Sequence, residues 1–336
     1  MHNHKINLPT FAPMMSENIL MDTFGRRHDY LRISLTDNCD LRCTYCMPEG
    51  KNDFTAAAKL MDPEEIAAIA EAFVTMGVKK IRLTGGEPLI RKEAREIIQN
   101  LSKLKVDLTI TTNATKVHEF IDDFKMAGIH SVNVSLDTFN KEKFIKISRR
   151  NEMELVMQNI HLLIKEGFHV KLNAVMMNGV NTDELLDFVT FTKDYSVHVR
   201  FIEFMPFAGN GWQRDKVFTY QQMLDVIQEK MTIEKLVDEQ HATAKKYRIP
   251  GFLGTFAFIN TVTLPFCGDC NRLRLTADGK MKNCLFSKDE IDLLTAIRNG
   301  QDIQQLILQS VKNKKAQTGG QSFDLPTINR SMVAIG

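Results

Sequence analysis

Asp29-Tyr30-Leu31-Arg32-Ile33-Ser34-Leu35, followed by Cys39-Asp40-Leu41-Arg42-Cys43-Thr44-Tyr45-Cys46, is the stretch on which the reading of this chain turns. Polar and apolar residues alternate over its first half, the period of a strand. That strand runs straight into a C-x3-C-x2-C loop. Three thiolates so close together can grip three irons of one 4Fe–4S cluster and leave the fourth iron open to a small molecule. Soft thiolates favour Fe–S, Zn or Cu(I) over hard cations. A structural zinc site wants four protein ligands. No fourth cysteine lies nearby, and the closest histidine, His28, precedes the loop by eleven residues. Spacing favours an iron–sulfur site and leaves zinc as the alternative.

Outward from this loop the pattern is one of alternating strands and helices. Asp62-Pro63-Glu64-Glu65 supplies an N-cap, a first-turn proline and first-turn acids, and opens a helix to about Met76. Strands are expected at 79–84, 107–112, 130–136, 168–175 and 197–204. Helices are expected at 93–103, 116–127, 153–166 and 182–194. Each strand is followed by a crossover helix, which argues for a parallel α/β sheet or barrel. Past residue 212 the pattern loosens into a helix at 219–230 and short strands at 233–237, 245–249 and 255–260. Helices near 288–298 and 301–311 follow. The expected organisation is an arm (1–28), a barrel (29–212), a C-terminal region (213–322) and an extended tail (323–336). The stretch 314–322 reads as a flexible linker, and Lys312-Asn313-Lys314-Lys315 as a solvated face. Polar residues and glycines gather at the strand C-termini: Thr84-Gly85-Gly86-Glu87-Pro88, Thr111-Thr112-Asn113, Ser135-Leu136-Asp137, Asn173 and Glu203. In a barrel these ends form one mouth, where active sites are built.

The bulk composition is that of an ordinary globular protein. The 336 residues are 43% hydrophobic and 25% charged, with a net charge of +2. This balance gives no electrostatic case for nucleic acid or an anionic membrane as main partner. No apolar run approaches the ~20 residues of a membrane helix, and Met1-His2-Asn3-His4-Lys5 lacks the apolar stretch of a signal peptide. A cytoplasmic location with reduced thiols is therefore expected. No G-x-x-x-x-G-K-[ST] loop and no G-x-G-x-x-G after a strand occurs, and Gly209-Asn210-Gly211 is too short a signal to count.

The remaining cysteines, Cys267, Cys270 and Cys284, form a second triplet that also lacks a fourth ligand, and no histidine occurs after His241. With Tyr45 before the last cysteine of the first loop and Gly85-Gly86-Glu87-Pro88 closing the next strand, the chain resembles the radical S-adenosylmethionine (SAM) superfamily. The segments Cys267-Gly-Asp-Cys270-Asn-Arg272-Leu273-Arg274 and Asn283-Cys284 narrow the resemblance to the GTP 3′,8-cyclase family of molybdenum cofactor biosynthesis. So do Asp22-Thr-Phe-Gly-Arg26, Arg200-Phe-Ile-Glu-Phe-Met205-Pro and Asn329-Arg330-Ser-Met332. The resemblance covers roughly residues 20–336. It implies an incomplete parallel (β/α) barrel of radical SAM type with a C-terminal α+β extension.

The resemblance also implies the chemistry. Cys39, Cys43 and Cys46 would hold one 4Fe–4S cluster, whose open iron chelates SAM. Cys267, Cys270 and Cys284 would hold a second, whose open iron holds the guanine edge. A 5′-deoxyadenosyl radical would remove hydrogen from ribose C3′ of GTP, and the carbon radical would attack guanine C8. The product would be 3′,8-cyclo-7,8-dihydro-GTP. Substrate would lie between the clusters, screened from water, in an oxygen-sensitive enzyme. Tyr45, Gly86, Ser135 and Met205, with Glu87 added, match the family's SAM contacts. Arg32, Arg82, Thr111, Lys171 and Arg272-Leu273-Arg274 match its GTP contacts. Without the resemblance, Arg32 and Arg82 read equally as solvent-facing strand residues, Thr111 and Ser135 as strand-end hydrogen-bonders and Met205 as core. A flavodoxin- or ferredoxin-like electron donor and a downstream cyclic pyranopterin monophosphate synthase would be the partners, with a monomer or homodimer as the working form. The family's tail usually ends in two glycines, where this sequence shows Gly336 alone. Two rival readings are a peptide-modifying radical SAM enzyme and a non-catalytic metal-binding module.

Overall fold

The computed structural model describes residues 20–47, 50, 54–323 and 329–336. Six parallel strands lie side by side in sequence order: β1 (Tyr30–Ser34), β2 (Lys80–Thr84), β3 (Asp107–Thr112), β4 (Ser131–Ser135), β5 (His169–Met176) and β6 (His198–Glu203). Between them run α1 (Pro63–Thr75), α2 (Ala94–Ser102), α3 (Ile121–Met126), α4 (Lys141–Ser148), α5 (Met153–Lys165) and α6 (Leu185–Asp194). α1 starts where its sequence says. Asp62 accepts from the Glu65 amide and Glu65 reaches back to the Asp62 amide, a reciprocal cap with Pro63 at the first turn.

The sheet does not end with these six strands. Downstream lie α7 (Tyr220–Lys230), β7 (Glu234–Lys235), β8 (Lys245–Arg248), β9 (Thr255–Ile259), β10 (Arg272–Leu275), β11 (Lys280–Lys282) and β12 (Ile291–Asp292). β9 joins β6 in parallel and carries β8 and β7. At the opposite edge β10 joins β1 in parallel and carries β11 and β12. The chain thus returns across the whole barrel, and the second cysteine loop lands next to the first strand. α8 (Leu293–Arg298), α9 (Gln304–Lys312) and a single helical turn α10 (Met332–Ile335) complete the described chain.

Period-two alternation sorts the strand residues into two faces. Leu31, Ile33, Ile81, Leu83, Ile110, Val132, Val134, Val170, Leu172, Val199 and Phe201 are fully buried in the core that the strands share with the helices. Their neighbours Tyr30, Arg32, Arg82, Thr111, Asn133, Ser135, Lys171, Asn173 and Arg200 line the interior. The barrel is hollow, and its strands send polar and charged side chains into the cavity, unlike a closed (β/α)₈ barrel, whose interior is filled by branched apolar side chains.

Several sequence expectations need correction. The helix at 116–127 is a short turn, Val117–Glu119, followed by α3. α4 and the strands β10–β12 were not anticipated. In the segment 288–298, residues 288–290 are loop, 291–292 form β12 and only 293–298 are helix. The arm at 1–28 falls mostly outside the described residues, but 20–28 is a pinned turn, with Met21 bridged to Arg27 and Asp22 bonded to Arg26. Nor is 314–322 a free linker: Lys314 is only 3% exposed. The tail is expected to be extended, yet its described part, 329–336, ends in α10. Arg330 anchors it, pairing with both oxygens of Asp278 at 2.9 and 3.0 Å and with Glu290 at 2.5 Å.

Candidate active site

One cavity of about 930 Å³ occupies the barrel interior, at the upper end of what small-molecule sites span. All six cysteines line it. So do Arg32, Tyr45, Arg82, Gly86, Thr111, Ser135, Lys171, Met205, Arg272 and Arg274, which sequence matching had scattered over 240 residues.

The first triplet sits at the C-terminal ends of the strands. Its loop is held by backbone bonds from Arg42 N to Ser148 O and Thr44 N to Ile147 O, at 2.8 and 2.9 Å. Gly85 and Gly86 pass directly beneath. A Cβ on Gly86 would fall 2.2 Å from the Asn38 carbonyl oxygen, so only glycine lets the two loops approach this closely. Burial pushes the Cys39 and Cys43 thiols well up. Glu87 and Asp40 add to this at Cys39, and Asp137 at Cys43. Tyr45 donates to Asp137 at 2.7 Å, and burial lifts the Asp137 carboxyl to about 6.

Two matched residues do not reach the cavity. Glu87 is fully buried behind its wall, where it accepts from Thr112 Oγ1 (2.8 Å), Asn113 N (2.6 Å) and Leu89 N (3.1 Å). Burial raises its carboxyl to about 8. Asn113 in turn bonds Asp40 of the cysteine loop at 2.6 Å. Glu87 therefore braces the loop rather than touching a ligand through its side chain. Leu273 points the other way from Arg272 and Arg274, into the apolar core, as strand alternation requires.

The second triplet faces the same space from β10 and the loops around it. Burial acts upward on the Cys270 thiol, but the charges of Arg272 and Lys314 outweigh it and bring the group down to about 6. Among the described residues no three His, Cys, Asp or Glu side chains converge as the ligands of a single metal ion would. Each triplet offers soft sulfur donors only, and the thiols within each are close enough to shift one another's ionisation. This donor chemistry fits a polynuclear iron–sulfur group.

Between the triplets runs a belt of cations. Register places Arg32 beside both Arg274 and Arg82, Asn133 beside Lys171, and Asn173 beside Arg200. Among the described residues none of Arg32, Arg82, Lys171, Arg200, Arg272 or Arg274 pairs with a side-chain carboxylate. Nε of Arg32 and Nε and Nη2 of Arg200 are buried without any hydrogen-bond partner, as are the Oδ1 atoms of Asn133 and Asn173. Burial, then crowding by Arg200 and Arg82, brings Lys171 down to about 8. The same two causes, with Arg82 as neighbour, pull Arg200 down to about 9. A guanidinium keeps its proton; burial is the larger part of the downward pull, and the rest is repulsion between neighbouring cations, which a bound polyanion would relieve. The family resemblance does not single out Arg200 or Asn133 as site residues, and Asn173 is expected only as a strand-end residue at the mouth. Asn133 and Asn173 are the period-two neighbours of Ser135 and Lys171, whereas Arg200 is placed only by the pairing of β6 with β5, beside Asn173.

Comparison with known proteins agrees with this geometry. The radical SAM superfamily pattern matches residues 33–192, and that named Molybdenum Cofactor Synthesis C matches 197–319. The GTP 3′,8-cyclase of Peptoclostridium acidaminophilum is 42% identical over 329 residues, covering 96% of this chain and all of that protein. The chain belongs to the GTP 3′,8-cyclase family. The mitochondrial GTP 3′,8-cyclase of Arabidopsis thaliana is 44% identical over 95% of this chain and 84% of its own length. Molybdenum cofactor biosynthesis protein 1 of Mus musculus is 46% identical over 94% of this chain. The chain spans about half the length of that relative, 51%. Among solved structures, Streptococcus suis SuiB bound to S-adenosylmethionine superposes with a TM-score of 0.63 at 14% identity, covering 83% of this chain and 65% of that one. This is a likeness of fold. Radical SAM membership makes an iron–sulfur cluster and SAM the cofactors of this chain. Among the described residues no helix is long and apolar enough to cross a membrane.

Proposed function

We propose that this protein converts GTP to 3′,8-cyclo-7,8-dihydro-GTP in molybdenum cofactor biosynthesis. Cys39, Cys43 and Cys46 hold one 4Fe–4S cluster and Cys267, Cys270 and Cys284 a second. With its cluster and SAM bound, the Cys39, Cys43 and Cys46 site would supply the radical chemistry that takes hydrogen from ribose C3′. The chain's own residues do the rest. Tyr45, Gly86, Ser135 and Met205 form the wall against SAM. Arg32, Arg82, Thr111, Lys171, Arg200, Arg272 and Arg274 take the triphosphate, and the enclosing barrel excludes water. A flavodoxin- or ferredoxin-like donor and a cyclic pyranopterin monophosphate synthase serve as electron source and next enzyme. The observation that carries the reading is the belt of cations between two thiol triplets in one cavity, none of them paired with a side-chain carboxylate among the described residues. A triphosphate is the ligand whose charge matches it.

The decisive experiment is anaerobic incubation with SAM, reductant and each nucleoside triphosphate in turn, followed by mass spectrometry. GTP alone should yield a cyclised nucleotide isomeric with the substrate, with 5′-deoxyadenosine beside it. Deoxyadenosine without any cyclised product from GTP would overturn the substrate assignment.

A pH dependence follows from Lys171. Free, it titrates near 8; a bound phosphate favours its charged form and raises it. GTP affinity should be level below pH 8, where Lys171 is already charged. It should fall above that, by up to tenfold per pH unit, because binding must then take up a proton. The phosphates are ionised throughout this range. Calorimetric titration between pH 7 and 9.5 checks it. Lys171→Arg should abolish the slope, and a wild-type affinity that stays level to pH 9.5 would exclude contact between Lys171 and the phosphates.

A further inference from the structure

We propose that Lys314 is a positioning residue for the second cluster: its ammonium, fixed beside Cys270 Sγ, holds that cluster at a higher reduction potential than the first. The inference rests on the reading of Cys267, Cys270 and Cys284 as cluster ligands. Lys314 Nζ lies 3.4 Å from Cys270 Sγ and donates to the Arg272 carbonyl at 3.0 Å. It also sits 3.5 Å from His28 Nδ1, whose other ring nitrogen is 3.1 Å from Asp22. Among the described residues it has no carboxylate partner. An ammonium buried in this way is costly unless an anion faces it, and the group facing it is a thiolate ligand.

The lysine is delivered there by a dedicated brace. Asp22 orients Arg26 at 2.6 Å. The remaining nitrogens of Arg26 bind the carbonyls of Cys267 (2.7 Å), Lys315 (2.8 Å) and Ala316 (2.8 Å). One guanidinium thus ties the cysteine loop to the segment that carries Lys314. The same segment points the Thr318 amide at Cys267 Sγ, 3.4 Å away.

The first triplet has the opposite surroundings. A carboxylate oxygen of Asp40 lies 3.9 Å from Cys39 Sγ, and the neutral Asn113 amide 3.7 Å. The cation of that loop, Arg42, binds the Cys39 carbonyl rather than a sulfur. Reduction adds negative charge to a cluster. Cations and N–H donors at the sulfurs stabilise the reduced form and raise the potential, while a carboxylate lowers it. A donor supplying electrons one at a time fills the second cluster before the first.

The test is a potentiometric titration of the reconstituted full-length chain, followed by electron paramagnetic resonance. Iron and sulfide counts come first. A Cys270→Ser variant holding as much iron as wild type would overturn the ligand assignment itself, a result distinct from any shift in potential. In wild type, the signal lost in Cys270→Ser should reduce at higher potential than the signal lost in Cys43→Ser. Lys314→Met should raise the oxidised-to-reduced ratio of the second cluster at fixed poise about tenfold, about 59 mV for one electron. The first cluster should not move, and Lys314→Arg should restore the second. An unmoved second midpoint in an iron-replete Lys314→Met protein, or a reversed order in wild type, overturns the proposal. If the methionine variant loses its cluster, Lys314→Gln and Lys314→Arg decide. Equal midpoints in those two would overturn the role of the charge.

Discussion

Cys43→Ser should abolish 5′-deoxyadenosine formation while the second triplet keeps its iron. The substitution changes one atom, sulfur to oxygen, at a half-buried position lining the cavity. Serine's hydroxyl is a hard, protonated group at neutral pH and a poor match for iron that prefers thiolate. The loop itself should survive. Its backbone is pinned by the Arg42 and Thr44 amides to the end of α4, and its Asp40 side chain by Asn113 and by Thr115 at 2.6 Å. None of these bonds uses the sulfur. The loss therefore belongs to the metal and not to the fold, so the melting temperature of the metal-free variant should match that of metal-free wild type. Iron content and deoxyadenosine are measured together on anaerobically reconstituted protein. Wild-type SAM cleavage by this variant would sink the assignment of the first triplet.

The parallel core was legible because its signals are local. Alternation marked β1 to β6 to within a residue or so, and Asp62-Pro63-Glu64-Glu65 marked the start of α1. The edges were not legible. β10 owes its existence to pairing with β1, about 240 residues away, and nothing in Arg272-Leu273-Arg274-Leu275 announces that partner. Site residues divide on the same ground. Cysteine spacing and the Gly85-Gly86 turn are written in sequence. The inward direction of Arg32, Arg82 and Lys171 follows only once the barrel fixes which face of each strand is hollow. Glu87 misled because its position beside Gly86 suggests a ligand contact, whereas local hydrogen bonds turn the carboxylate into the wall. Lys314 misled more fully. A Lys-Asn-Lys-Lys run has the composition of a solvated face, and only the Asp22–Arg26 brace, contributed from the other end of the chain, turns the middle lysine inward.

Replacing Lys171 and Arg200 together by methionine should weaken GTP binding roughly 10²- to 10⁴-fold and, unusually for a buried double substitution, stabilise the unliganded protein. Each cation lost removes a charge-assisted bond of ~1.5–3 kcal/mol, and about 1.4 kcal/mol corresponds to each decade of affinity. The single substitutions should not sum to the double. The two groups repel each other in the free protein, so removing either relieves its neighbour. The stability effect has a definite sign. Lys171 titrates lower in the folded chain than in an unfolded one, so its protonated form opposes folding. That opposition is complete below about pH 8 and fades as pH rises toward the ordinary lysine value of 10.5. At about 1.4 kcal/mol per unit of pKa, its removal at pH 7 stabilises the fold by something on the order of 1–3 kcal/mol. Methionine fills the vacated space without a charge. SAM affinity should barely change, because Tyr45, Gly86, Ser135 and Met205 are untouched. Equilibrium titration of both ligands, with thermal melts of the free protein, checks all three expectations. If SAM binding collapses while GTP binding survives, the cation belt serves the other ligand. If GTP binding is lost and the free protein is destabilised, the two cations are already neutralised within the fold and the belt carries no unmet charge.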